Sequence, residues 1–107
     1  MLKLLSMIKH IVMWTIKEGQ TSRIKFERMA ELKARLLGLK DQINEIVSLE
    51  VFFKSPVAPD DNYDVILQSE FNSWAELDAY QKHPAHVEVA EYVKNIKQNR
   101  VAIDYEF

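Results

Sequence analysis

The chain has no cysteine among its 107 residues. That excludes a disulfide framework, thiol catalysis, zinc–thiolate sites and iron–sulfur clusters, and it fits a reducing, cytoplasmic setting. Glycine is almost as scarce. Only Gly19 and Gly38 occur, too few for a loop that cradles phosphate. Neither an HExxH nor a GxSxG motif is present. Charge of one sign does not accumulate either: 14 basic and 16 acidic residues leave a net charge of −2. The expectation is no nucleic-acid partner and no polybasic membrane patch. A spanning helix needs roughly 20 apolar residues, and no such run exists. Residues 1–6 (MLKLLS) are mildly apolar but too short for a signal-peptide core. They read as an N-terminal extension ahead of a single domain over residues 7–107, a length that holds one core.

What is present reads as alternating strands and helices. Met7 to Ile16 is β-branched and aromatic, hence a strand. Gly19-Gln20 breaks it, and Thr21 or Ser22 can cap a helix. Phe26, Met29, Leu32, Leu36 and Leu37 then recur at helical spacing, with Gly38 where a C-cap glycine belongs. Ile43 to Phe53 reads as a second strand, Ser55 to Asn62 as a loop rich in turn formers, and Tyr63 to Phe71 as a third strand. Ser73-Trp74-Ala75-Glu76 is a capping box that opens a short helix to about Gln81. His83-Pro84 ends it and starts another helix, with His86, Val89, Ala90, Val93 and Ile96 on one face. Arg100 to Phe107 reads as the last strand. The fold class is α+β, with order β-α-β-β-α-β and the second helical region split, as in a ferredoxin-like antiparallel four-stranded sheet with helices on one face.

Strand alternation divides the sheet into two faces. One set is nearly all apolar and belongs under the helices: Ile8, His10, Val12, Trp14 and Ile16 on the first strand, with Val101, Ile103, Tyr105 and Phe107 assigned to it from the last. The other is mixed, with Ile11, Met13, Ile46, Phe52 and Ile66 among polar groups that include Asp64 and Asp104. A face open to water is ordinarily more uniformly polar, and an apolar patch of this kind marks association. The expected partner is a second copy, giving a homodimer whose sheets close into a barrel.

Three histidines remain for chemistry. His10 and His86 both point to the layer between sheet and helices, and Tyr80, at the end of the short helix, can point there too. Histidine titrates near neutrality, and a tyrosine hydroxyl can donate to a carbonyl oxygen as charge develops on it. His10, Tyr80 and His86 are therefore the candidate catalytic residues. The alternative is that they satisfy one another as a buried polar network. His83 is better read as a helix cap. The histidine spacing matches no usual metal-ligand pattern, so no metal and no cofactor is expected.

The opening Ile8-Lys9-His10-Ile11-Val12, the block His83-Pro84-Ala85-His86-Val87 with Tyr80 before it, and the ending Val101 to Glu106 resemble the stress-responsive dimeric α/β-barrel (Dabb) family. The resemblance covers nearly the whole chain from Met7. It implies a ferredoxin-like subunit and a homodimeric barrel, in a family where many members lack an assigned reaction and several are stress-induced. One plant member is a cofactor-free enzyme that closes a linear polyketide by aldol chemistry. Its proposed Tyr/His acid–base pair falls on Tyr80 and His86, and a first-strand histidine on His10. A further pocket histidine falls on Val65, where this chain departs.

Two readings follow. One is a stress-responsive homodimer of unassigned activity that binds a small apolar ligand between sheet and helices. The other is a cofactor-independent cyclase or lyase acting on a polyketide-like carbonyl substrate. There His86 abstracts a proton, Tyr80 steadies the enolate and His10 orients the substrate.

Overall fold

A computed structural model describes residues 7–107; the extension expected over residues 1–6 lies outside the described residues. The elements are β1 (Ile8–Ile16), α1 (Ser22–Gln42), β2 (Ser48–Phe53), β3 (Val65–Phe71), α2 (Trp74–Lys82), α3 (Pro84–Ile96) and β4 (Lys97–Glu106). They form one antiparallel sheet in the order β2-β3-β1-β4. The helices pack on one face, which is the ferredoxin-like arrangement expected from the order of elements. No helix among the described residues is long and apolar enough to cross a membrane.

Local chemistry sets the helix ends. The Thr21 hydroxyl accepts the Ile24 N–H at 3.2 Å, and the Ser73 hydroxyl accepts the Glu76 N–H at 3.2 Å. The Glu76 carboxylate reaches back to the Asn72 N–H, one residue before the cap. His83 caps α3 as expected: its Nδ1 accepts the Ala85 N–H at 3.0 Å, and Pro84 occupies the first turn. Gly19 has φ +73°, and a Cβ there would lie 2.7 Å from Ile24 Cγ2, so the turn into α1 requires glycine.

Gly38 does not end α1, which runs one turn further, to Gln42. Glycine inside a helix costs about 1 kcal/mol. That extra turn buries Leu39 and delivers Ile43 to the core, each contributing about 1.5–3 kcal/mol, so packing outweighs propensity. The longer helix shortens β2, which starts at Ser48 and not at Ile43. Ile46 is consequently core, at 3% exposure, and not on the open face of the sheet. On α1 the buried stripe is Leu32, Leu36 and Leu39, whereas Phe26 and Leu37 are exposed.

Register corrects a second assignment. In the β1–β4 ladder Val12 faces Ala102, His10 faces Asp104 and Trp14 faces Arg100, while Met13 faces Val101 and Ile11 faces Ile103. Directly opposed residues share a face. Asp104 therefore lies under the helices, and Val101, Ile103 and Tyr105 lie on the open side, the reverse of the expected assignment. The open face gains a continuous apolar row, Phe52–Ile66–Met13–Val101, across all four strands. A polar row beyond it holds the Lys9–Glu70 ion pair at 2.7 Å, with Ser48 donating to Glu70.

Asp64, expected on the open face, is instead buried at the end of β3. Its Oδ2 accepts the Ile16 N–H at 2.8 Å and its Oδ1 lies 3.3 Å from Lys25 Nζ. Burial works against the charge on Lys25, but Glu18 and Asp64 together hold its pKa above the ordinary lysine value.

Candidate functional site

The helix-facing side of the sheet presents three rows in sequence: Ser69–His10–Asp104, then Leu67–Val12–Ala102, then Val65–Trp14–Arg100. Above them lies α3, with Val89 and Val93 turned in. Between the two is a cavity of about 240 Å³, walled by Val12, Leu67, Val89 and Val93 and reached by His10, Tyr80, His86, Trp14 and Arg100. Ligand pockets for drug-sized molecules run to roughly 300–1,000 Å³, so this one suits a smaller occupant.

All three residues singled out from the sequence reach this cavity. Tyr80, at the end of α2, is fully buried, its ring 4.9 Å from Phe71 and 4.5 Å from His86 between centroids. His10 lies edge-on to it at 6.1 Å. Their polar atoms do not pair with one another, however. His86 Nδ1 is 3.0 Å from the Gln81 carbonyl, and His10 Nδ1 meets the Asp104 carboxylate. The Tyr80 hydroxyl and Trp14 Nε1 are both buried with no hydrogen-bond partner among the described residues. Buried donors are rarely left this way. Both belong to residues that line the cavity.

These bonds fix protonation. A carbonyl can only accept, so His86 Nδ1 carries its proton and the free lone pair is on Nε2. Burial lowers the His86 pKa; the Gln81 carbonyl opposes this, and His10 and Arg100 add to the lowering. The ring is thus neutral near neutral pH, the state a general base requires. Burial pushes the Tyr80 hydroxyl well above the ordinary phenol value, against a smaller opposing effect from Arg100, so it remains a donor. The site pairs a neutral imidazole with a protonated phenol against apolar walls.

Asp104, Trp14 and Arg100 were not singled out from the sequence. Asp104 had been assigned to the wrong face, and Trp14 read only as core. Among the described residues no group of three or more His, Asp or Glu side chains is gathered to hold a metal ion. His83 is occupied as a cap and does not converge with His10 and His86.

Comparison with known proteins agrees with this architecture. The model of the stress responsive A/B barrel domain matches residues 8–107. No curated protein matches the chain. Among solved structures, a dimeric protein of unknown function with a ferredoxin-like fold from Bacteroides fragilis is 28% identical, with a TM-score of 0.87 over 98% of this chain and 100% of that one. A dimeric ferredoxin-like protein of unknown function from Thermobifida fusca is 21% identical, with a TM-score of 0.81 over 94% and 91% of the two chains. The hydroxynitrile lyase of Passiflora edulis is 16% identical, with a TM-score of 0.81 over 97% and 95%. The last two share the fold and carry no more than that.

Proposed function

The chain belongs to the stress responsive A/B barrel domain family, and from that premise we propose that it works as a homodimer whose subunits each bind a small, mostly apolar carbonyl compound and move a proton beside its carbonyl without a cofactor. The observation that carries this reading is the unpartnered, buried Tyr80 hydroxyl in a cavity shared with a neutral His86. A ligand carbonyl would give that hydroxyl its missing acceptor. His86 Nε2 takes the proton from the carbon next to the carbonyl, and Tyr80 donates to the oxygen as negative charge builds there. His10, oriented by Asp104, holds the substrate on the opposite wall. The apolar walls exclude water, which strengthens both interactions.

The dimer part of the reading is supported by the apolar row on the open face of the sheet and by the dimeric state of the Bacteroides fragilis and Thermobifida fusca proteins. Binding without turnover is the simpler reading, and the free His86 lone pair in one cavity with the unpartnered Tyr80 hydroxyl favours turnover over it. The test is solvent deuterium exchange into a neutral methyl ketone such as acetophenone, followed by proton NMR. Exchange above the buffer rate is expected with the wild type and is expected to disappear in His86→Gln. Exchange no faster than buffer, in protein shown to bind the ketone, would leave a binding protein only.

A further inference from the structure

The two ends of the cavity differ in charge. At the His10 end the neutral His86 and the Tyr80 hydroxyl meet apolar walls. At the other end Arg100 stands opposite Trp14 in the sheet ladder, and Lys97 and Lys94 join it at the cavity margin. The lining holds these three cations and no carboxylate. Lys94 has Glu91 at 3.7 Å, but Arg100 and Lys97 form no ion pair among the described residues. The buried Trp14 Nε1 beside them also has no acceptor. A buried donor without an acceptor, Trp14 Nε1, and two cations without ion pairs, Arg100 and Lys97, thus stand at one end of a single small cavity.

We infer that Arg100 is a specificity-determining residue that, with Trp14 and Lys97, receives a carboxylate, so the ligand of this pocket is an oxo acid with its anionic end on β4 and its carbonyl at Tyr80. The inference rests on the reading of the cavity as a ligand site given above. A guanidinium presents two parallel N–H groups that match a carboxylate's two oxygens, which gives orientation as well as attraction. Arg100 is exposed on β4, so it can meet an incoming anion without first being desolvated. His10 and Trp14 are four residues apart on β1, which sets the two ends of the site about 13 Å apart along the strand, a distance the long Arg100 side chain shortens. That spacing selects a linear acid with several carbons between its two polar ends. The positive field of Arg100 also reaches the acid–base pair, where it lowers the pKa of both His86 and Tyr80. An anion seated on Arg100 neutralises that field. It therefore raises the basicity of His86 when substrate is bound.

The test uses binding alone, read by the fluorescence of Trp14 in full-length protein carrying Trp74→Phe. Trp74 is half exposed at the start of α2 and outside the cavity lining. The probes are 7-oxooctanoate and its methyl ester, which share the oxo chain while the ester replaces the anionic end with a neutral one. The acid is expected to bind at least tenfold more tightly than the ester. Arg100→Met is expected to remove that preference while leaving ester affinity within about twofold and the melting temperature unchanged. Equal affinity for acid and ester, binding of neither, or an equal loss of both in Arg100→Met would overturn the inference. A protein that prefers the acid yet exchanges no deuterium keeps the anion site and loses the proton-transfer reading, so the two failures are distinct.

Discussion

His10 and Asp104 stand directly opposite each other in neighbouring strands, and the Asp104 carboxylate accepts the His10 Nδ1–H. The acceptor holds a ring proton on Nδ1 and fixes the orientation of a buried histidine. Asp104→Ala removes that control without deleting any apolar packing. The expected result is a mixed tautomer population at His10 in nitrogen-15 NMR, together with a drop in deuterium exchange of about tenfold or more. An unchanged tautomer with unchanged exchange would show Asp104 to be a bystander.

Tyr80→Phe separates a structural tyrosine from a functional one. Deleting one member of a satisfied buried pair costs about 1–3 kcal/mol. Here the hydroxyl has no protein partner to abandon, so the ligand-free variant is expected to match or exceed wild-type stability in urea denaturation. Ketone affinity or exchange is expected to fall about tenfold with the loss of the donor. A stability loss of several kcal/mol would mean that the hydroxyl is bonded within the protein.

His86 predicts a pH dependence with a definite sign. Its folded-state pKa lies below the ordinary histidine value of about 6.5, so the unfolded chain binds the proton first as pH falls. The stabilising contribution is full above about pH 6.5, declines as pH drops toward the lowered folded-state value, and levels off beneath it. Denaturation midpoints measured across that window are expected to fall with pH, and His86→Gln is expected to flatten that part of the curve. Exchange activity should follow the same side, requiring neutral His86 and fading in acid. A variant whose midpoint falls as steeply as wild type would assign the effect to another group.

The sequence made some of this legible and concealed the rest for identifiable reasons. Helical periodicity placed Tyr80 and His86 toward the sheet, because each helix has one clearly polar side, and the alternation of β1 placed His10 beneath them, in the uniformly apolar set of Ile8, Val12, Trp14 and Ile16. In β4 alternation separates Val101, Ile103 and Tyr105 from Ala102 and Asp104, but it does not say which set is inside. Apolar residues go inward only when the other face meets water, and in this sheet the other face is apolar too. Pairing register with β1 settles the matter, and register depends on tertiary contacts. The pairing of Trp14 with Arg100, and thus the charged end of the cavity, was hidden for the same reason. Gly38 misled in another way, since a local stop signal was overridden by the burial of Leu39.

Asp64 offers a stability prediction independent of the cavity. Its carboxylate ties the end of β3 to the Ile16 N–H of β1 and to Lys25 of α1. Asp64→Ala leaves the Ile16 backbone donor without a partner and the Lys25 ammonium with Glu18 alone, which is expected to cost about 2 kcal/mol in chemical denaturation. Asp64→Asn, which can still accept from Ile16, is expected to recover part of that loss. Ketone binding by the folded fraction should be unchanged in both. Equal stability of all three proteins would contradict the anchoring role.

The open face of the sheet makes the assembly testable at a single position. Ile103 is 59% exposed, lies opposite Ile11, and borders the Phe52–Ile66–Met13–Val101 row. Leaving such a continuous apolar surface in water is unfavourable by roughly 25 cal/mol per Å², and a chain this short gains proportionally more than a large one by covering it. Phe26 is equally exposed at 59%, but it sits on α1, on the other side of the molecule, against Phe53. Exposure alone therefore does not distinguish the two positions, whereas membership of the row does. Light scattering at micromolar concentration is expected to give twice the 12.6 kDa chain mass for the wild type and for Phe26→Lys. Ile103→Lys places a charge on the apolar face that pairs and is expected to give the single-chain mass. A dimer that survives Ile103→Lys and fails in Phe26→Lys would place the interface on the helices. The cavity, which lies beneath α3, would then sit near the partner instead of facing away from it.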